Sequence, residues 1–201
     1  EGVALRLAIL GDGPERGALE ALAQASGLGD AVLFAGHVAD PAAAYRAFDI
    51  FALSSDTEQM PFSVLEAMAS GLPVAATEVG DLHAMLPAAG HGLLAARDDV
   101  ALAEALRPLL VDAALRARLG AANRAKAERD YDEEAMFQAF AAFYDAAAPG
   151  AQPVMKMSSR VSVGAPVRVA TTTDAVPPDP SASQRRIFAF GNMRAISFST
   201  V

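Results

Sequence analysis

The chain has 201 residues, of which 53% are hydrophobic and 20% are charged, and it contains no cysteine. These values are typical of a globular protein and exclude a disulfide framework and a thiolate metal site. Residues 1–150 carry 22 acidic and 10 basic side chains, whereas residues 151–201 carry 2 and 6, which gives the net charge of −8. The acidic main body argues against nucleic acid as a partner, because binding to a duplex depends on lysine and arginine.

The first part of the chain alternates short apolar runs with helical patterns. Buried strands are predicted at residues 5–10, 31–36, 50–53 and 73–77, because these runs have no helical period and are bounded by turn residues. Helices are predicted between them, at about residues 14–26, 41–48 and 62–70. The first of these helices is expected to begin at Pro14, with Asp12 or Gly13 as its cap. Strands that alternate with helices predict right-handed crossovers and a parallel sheet.

Three further helices are predicted after residue 98. The first has Asp98 or Asp99 at its start, and the others span about residues 113–129 and 132–147. The last helix has an aromatic-rich apolar face, made of Met136, Phe137, Phe140, Phe143 and Tyr144.

The composition changes after residue 148, where Pro, Ser, Thr, Val and Arg dominate. No helical or strand period of useful length is visible, so residues 149–201 are expected to form a disordered or weakly ordered tail. A non-native origin of this tail, such as read-through after a frameshift, is an alternative. Residues 1–148 are then the folded domain.

Two carboxylates, Glu58 and Glu66, stand eight positions apart on either side of a turn. Glu58 is predicted in a loop between a strand and a helix, and Glu66 about one turn into that helix. Backbone N–H groups at a helix start attract anions, and a carboxylate on each side could bind sugar hydroxyls. This arrangement favours a site for a sugar joined to a phosphate.

This region resembles the C-terminal, donor-binding domain of family 4 retaining glycosyltransferases (glycosyl transferases group 1). The resemblance is carried by Glu58-x7-Glu66 and by the run that starts at Glu66, Glu-Ala-Met-Ala-Ser-Gly-Leu-Pro-Val-Ala-Ala-Thr. The resemblance covers roughly residues 3–147 and includes Gly11-Asp-Gly-Pro14 and residues 32–38. It implies a Rossmann-like parallel sheet with helices on both faces, which forms one half of the two-domain GT-B fold. It also implies a nucleotide sugar as substrate, with no cofactor and no metal.

The resemblance assigns roles to individual positions. Glu66 matches the glutamate that binds the ribose hydroxyls, and Glu58 matches the catalytic glutamate near the donor sugar. The other matching positions are backbone contacts to the sugar (Met60, Pro61, Phe62 and Ser63), the phosphates (Val64, Leu65, Gly11 and Gly13) and the base (Gly36, His37 and Val38). Residue type alone leaves other readings open, since His37 is also typical of a polar surface, and Met60, Phe62 and Met68 are also typical of a core.

Two departures from the family pattern affect the expected function. Val79-Gly80-Asp81 replaces a pair of glycines, so Asp81 is expected either to change the charge of the pocket or to cap the next helix. Together with Gln59-Met60-Pro61 this variant looks like a bacterial polysaccharide or lipopolysaccharide subgroup. In the family, a phosphate-binding Arg and Lys come from a segment upstream of the first strand here, and the acceptor domain precedes that segment.

The chain is therefore expected to be an N-terminally truncated piece of a hexosyltransferase, and inactive alone. The alternatives are the non-catalytic half of a split enzyme, a pseudogene product and half of a nucleotide-sugar epimerase. A split enzyme predicts an exposed apolar face on residues 132–147, where the acceptor domain would pack. The expected location is the cytoplasm or the inner face of the membrane. The sequence does not identify the sugar, the nucleotide or the acceptor.

Overall fold

The computed structural model describes residues 5–147 and 185–190, and these residues form a six-stranded parallel sheet with helices on both faces. The strands are β1 (Leu5–Leu10), β2 (Val32–Gly36), β3 (Ile50–Leu53), β4 (Val74–Thr77), β5 (Leu94–Ala95) and β6 (Arg185–Phe190). The helices are α1 (Arg16–Ala25), α2 (Pro41–Tyr45), α3 (Phe62–Ala69), α4 (Leu82–Met85), α5 (Asp99–Val111), α6 (Ala113–Asp130) and α7 (Glu133–Ala147). The strand order is β2-β1-β6-β3-β4-β5, and every pair is parallel. The predicted parallel α/β sheet is confirmed.

Strand β3 lies inside the sheet, and all four of its residues are fully buried. Because side chains alternate across a strand, Phe51 and Leu53 enter one core cluster while Ile50 and Ala52 enter the other. The first cluster includes buried residues of α2, α3 and α4, and the second includes the apolar face of α5. This continuous apolar run explains why the sequence pattern located the strand correctly.

Helix α1 begins at Arg16, so the prediction of Pro14 as the first helical residue is wrong. Asp12 does not cap the helix, because its Oδ1 accepts a hydrogen bond from the N–H of Gly13 at 3.0 Å. The N–H of Arg16 in turn donates to the carbonyl of Gly13. These bonds form a turn that delays the helix by two residues. The Asp98 cap of α5 is confirmed, since its Oδ1 accepts from the N–H of Ala101 at 2.9 Å.

Strand β6 is the main difference between the sequence expectation and the structure. The sequence predicts no strand after residue 148, yet Arg185–Phe190 lies between β1 and β3 and pairs with both. The run is only six residues long, and its pairing partners lie more than 130 positions earlier in the chain. A short run of this kind becomes a strand through its neighbours in the sheet rather than through its own pattern. The other residues of the predicted tail lie outside the described part of the chain.

Helix α7 presents an exposed apolar face. Phe140 is 54% exposed, and Phe143 and Tyr144 are each 67% exposed. Met136 and Phe137 are also exposed. The split-enzyme hypothesis predicted an exposed apolar face on this helix, and the structure shows one.

Helix α3 is held against α6 by a close backbone approach. Gly71, which has a φ of +74°, follows α3, and its carbonyl faces Gly120 of α6. Nearby, the buried Asn123 amide donates to the Leu72 carbonyl at 2.7 Å. A Cβ at position 120 would overlap the carbonyl oxygen of Gly71.

Gly120→Ala is therefore expected to lower the free energy of unfolding by about 1–3 kcal/mol, although alanine normally stabilises a helix by up to ~1 kcal/mol relative to glycine. Chemical denaturation measures this change. Gly17→Ala in α1 is the matched control, since a Cβ there meets nothing within 4 Å. Equal stability of the two variants would contradict the close approach of α3 and α6.

Candidate functional site at the carboxyl edge of the sheet

The site residues predicted from the sequence lie at one edge of the sheet. Because all strands run in the same direction, the segments that follow β1, β2, β3 and β4 leave the sheet at its carboxyl edge. Ligands bind open parallel sheets at this edge. The predicted residues lie at the ends of β1 and β2, in the loop of residues 54–61, and in the first half of α3.

The ends of β1 and β2 are joined by two glycines. The N–H of Gly11 donates to the carbonyl of Gly36 at 2.8 Å, and their φ values are +116° and +67°. Residues other than glycine are disfavoured at such angles, so both positions expose backbone without a side chain at the edge. His37 is exposed and Val38 is half-buried against the core. A Cβ at Gly13 would meet nothing within 4 Å, so the protein itself does not require glycine there.

Arg16 brings a positive charge to this end of the edge, and the sequence reasoning did not predict it. Its Nη2 donates to the carbonyl of Phe34 at 3.2 Å, and its Nε pairs with Glu20 at 2.8 Å. The guanidinium also lies 3.8 Å from Asp12. The spacing of Arg16 and Glu20, four positions apart in α1, was the available signal.

Glu58 is anchored by the hydroxyl group of a serine in the loop that follows β3. Its Oε1 accepts a hydrogen bond from the Oγ of Ser55 at 2.7 Å, and Ser55 is 3% exposed. The carbonyl of Ser55 accepts from the Oγ1 of Thr77, the last residue of β4, at 2.6 Å. Two neighbouring strands therefore hold the Glu58 carboxylate at their carboxyl ends. Neither Ser55 nor Thr77 was predicted as a supporting residue.

The loop after β4 packs against the backbone of Glu58. The N–H of Asp81 donates to the carbonyl of Gln59 at 2.8 Å. Gly80 has a φ of +53°, and a Cβ there would overlap the carbonyl of Glu58. Asp81 occupies the position before α4 but makes no capping hydrogen bond with its side chain, and it is exposed. Side-chain capping, one of the two roles expected of Asp81, is not observed, and its carboxylate adds negative charge to this loop.

Glu66 is held by a buried phenol. The hydroxyl of Tyr45, at the end of α2, lies 2.9 Å from Glu66 Oε2 and 3.2 Å from the Ser63 carbonyl. Burial raises the pKa of the Tyr45 phenol, and the charge of Glu66 and its hydrogen bond raise it further. The phenol therefore stays protonated and remains a donor. Tyr45 was predicted only on one side of a short helix, without a role at the site.

The start of α3 combines buried and exposed residues. Pro61 and Ser63 are buried, while Met60 and Phe62 are 43% and 77% exposed. Met68 is fully buried, so the interpretation as core is confirmed for Met68 and wrong for Met60 and Phe62.

The backbone donors of this turn are partly used within the helix. The N–H groups of Val64 and Leu65 both donate to the carbonyl of Pro61, at 3.1 and 3.4 Å. Their predicted contact with phosphate would therefore act through the positive end of the helix dipole.

The described residues include no group of three or more His, Asp or Glu side chains placed to hold a metal ion. The rings of His83 and His91 stack on each other with centroids 3.9 Å apart, but no third His, Asp or Glu among the described residues completes a metal site with them. In residues 5–147 and 185–190, no helix is long and apolar enough to cross a membrane.

Comparisons with known proteins find a matching family model and several relatives. The family model described as "Glycosyl transferases group 1" matches residues 1–112. The lipopolysaccharide core biosynthesis glycosyltransferase LpsD of Rhizobium meliloti (strain 1021) is 33% identical over 138 residues, which cover 68% of this chain and 40% of that protein. A D-inositol 3-phosphate glycosyltransferase of Xylanimonas cellulosilytica is 38% identical over 139 residues, covering 65% of this chain and 33% of that protein.

A solved structure has a similar fold. Sucrose-phosphate synthase from Thermosynechococcus elongatus matches with a TM-score of 0.62 and 26% sequence identity, over 73% of this chain and 47% of that chain. The chain thus spans less than half the length of each of these three relatives.

Proposed function

The chain belongs to the glycosyl transferases group 1 family, and on this premise we propose that its carboxyl edge binds the nucleotide-sugar donor of a retaining glycosyltransferase. The observation that carries the proposal is that both Glu58 and Glu66 are fixed by buried hydroxyl groups at this edge, on either side of the α3 start. Side chains held in this way are pre-organised for a ligand, because their conformational freedom is already lost.

The two carboxylates have different proposed roles. An ionised carboxylate only accepts hydrogen bonds, so Glu66 suits the paired hydroxyls of a ribose. The N-terminus of α3 suits the phosphates, since the positive end of the helix dipole favours negative charge there. Glu58 then lies on the sugar side, where its negative charge stabilises the positive charge that develops at the anomeric carbon. The leaving phosphate assists attack from the same face, which gives retention.

The acceptor is proposed to enter from another domain. The exposed apolar face of α7 supports this, because an apolar patch of several aromatic residues is typical of an interface. That domain belongs to the same protein or to a separate chain, and the proposed acceptor is a polysaccharide, a lipid or another molecule. The 201-residue chain alone is proposed to bind donor without transferring sugar, because positioning of the acceptor supplies several kcal/mol of the rate enhancement.

The affinity of the chain for nucleotide is expected to be modest. Two carboxylates oppose a diphosphate, and the nearby Arg16 is already paired with Asp12 and Glu20. Calorimetric titration of the full chain with UDP, GDP and ADP is expected to show saturable binding of one nucleotide, with a Kd on the order of 1 mM (about −4 kcal/mol). Inorganic pyrophosphate is the control for attraction by the helix end alone, and it is expected to bind more weakly. A folded chain that binds none of the three nucleotides better than pyrophosphate would contradict the proposed donor site.

A further inference from the structure

We propose that Tyr45 is a positioning residue that selects which oxygen of Glu66 is presented to the ligand. This inference rests on the proposed donor site and concerns a residue that does not itself contact the ligand. Tyr45 precedes Glu66 by 21 positions and reaches it from a different helix. The contact therefore joins α2 to α3 at the edge where the ligand is proposed to bind.

The phenol ring has a fixed position. Tyr45 is 1% exposed, and its ring lies against that of Phe51 in β3, with ring centroids 6.1 Å apart. Helix α2 is itself anchored at its start, where Asp40 Oδ1 accepts a hydrogen bond from the N–H of Ala42. A buried side chain with its ring packed against the sheet cannot follow movements of a partner at the surface, so Glu66 must adapt to Tyr45.

The hydrogen bond orients the Glu66 carboxylate. The Tyr45 hydroxyl contacts Oε2 of Glu66 at 2.9 Å and the Ser63 carbonyl at 3.2 Å. Both contacts lie on the inner side of α3, where Ser63 is buried and Glu66 is half-buried. Because the phenol engages Oε2, Oε1 is the oxygen that we infer is presented to the ligand. Glutamate otherwise has three rotatable bonds, and fixing them costs free energy that a ligand would have to supply.

The inference predicts a loss of discrimination between ribose and deoxyribose. A carboxylate fixed in one orientation can accept hydrogen bonds from two adjacent hydroxyls, whereas a rotating carboxylate gains little from the second. Tyr45→Phe removes only the O–H and keeps the packed ring. The wild-type chain is expected to bind the ribonucleoside diphosphate about tenfold more tightly than its 2′-deoxy counterpart, as for one hydrogen bond to a charged group.

Calorimetric titration of the full-length chain with the nucleotide identified among UDP, GDP and ADP, and with its 2′-deoxy form, tests the role. In Tyr45→Phe the ratio of the two Kd values is expected to fall from about tenfold to within about twofold, with the Kd of the deoxy form unchanged. In a Glu66→Ala background, which removes the acceptor of the Tyr45 hydroxyl, Tyr45→Phe is expected to cause no further change in the ratio, since the two side chains act as a unit. Tyr144→Phe, at a 67% exposed tyrosine of α7, is the matched control and is expected to keep the wild-type ratio.

Two results would overturn the role of Tyr45 alone. An unchanged ratio in Tyr45→Phe would show that Glu66 does not depend on the phenol. An equal weakening of both nucleotides would show that Tyr45 supports the fold of the site without orienting Glu66. If the wild-type chain binds neither nucleotide, the proposed donor site fails, and the role of Tyr45 fails with it.

Discussion

Replacing Ile187 with proline is expected to lower the free energy of unfolding of the chain substantially. Ile187 lies in the middle of β6 and is paired with Leu7 of β1 on one side and with Ile50 of β3 on the other. Proline lacks the N–H that a ladder requires and is not tolerated in a central strand. The carbonyl that loses its donor alone costs about 1–3 kcal/mol, which is a large part of the total of about 5–15 kcal/mol for a domain of this kind.

The effect is expected to be large because β6 connects two parts of the sheet. In the described residues β1 pairs with β2 and β6, while β3 pairs with β4 and β6. Without β6 the edges of β1 and β3 inside the sheet lose their partners, and unpaired buried backbone groups are costly. The five remaining strands of the described residues would then form two smaller sheets, one of β1 and β2 and the other of β3, β4 and β5.

Chemical denaturation followed by circular dichroism measures the effect. The matched control is Ile187→Val, which keeps the backbone N–H at the same position and is expected to unfold at nearly the same denaturant concentration as the wild-type chain. If Ile187→Pro is as stable as this control, β6 does not hold the sheet together, and the sequence-based expectation of a weakly ordered tail would apply to these residues as well. The strand also ends beside the site, because Phe190 pairs with Leu53, so the variant is expected to bind nucleotide more weakly.

Replacing Glu66 with glutamine is expected to weaken nucleotide binding by about 10- to 100-fold. Hydrogen bonds to a charged acceptor contribute about 1.5–3 kcal/mol each, and each 1.4 kcal/mol changes the affinity about tenfold. Glutamine has nearly the same size, and its amide oxygen can still accept from the Tyr45 hydroxyl. The change therefore removes the charge while it keeps the packing of α3 against α2.

The matched control removes an equal charge at the same edge. Glu78 follows β4 and is exposed, and it has no proposed contact with the ligand. Glu78→Gln is expected to leave the nucleotide affinity unchanged or slightly higher, because one negative charge near the phosphates is lost. If both variants change the Kd in the same direction and to the same extent, Glu66 affects binding only through its negative charge and not through a hydrogen bond to the nucleotide.

The strands of the main body could be predicted from the sequence because their information is local. Residues of β3 and β4 form short apolar runs that end at polar or glycine residues, and both runs are buried in the structure. The strand β6 could not be predicted in the same way. It is separated from α7 by the 37 residues 148–184, and it is defined by pairing with strands far earlier in the chain.

The site shows the same division between local and long-range information. The spacing of Glu58 and Glu66 correctly predicted that Glu58 lies in the loop and Glu66 in the helix. The two residues are only eight positions apart, so local sequence signals for the turn between them were sufficient. The residues that hold them were missed, because Tyr45 contacts Glu66 across 21 positions and Thr77 contacts Ser55, the partner of Glu58, across 22 positions. The exposure of Phe62 was also missed, because an apolar residue type does not reveal whether a helix start is covered.

The position of a bound nucleotide sugar tests the central proposal most directly. A crystal structure of the full chain with the nucleotide sugar that binds in titration is expected to place the ribose hydroxyls about 2.6–3.2 Å from the Glu66 carboxylate. It is also expected to place the sugar on the side of Glu58. Density for the nucleotide in the cleft lined by Asp56, Glu78 and Arg97, with Glu66 unliganded, would contradict the proposed donor site.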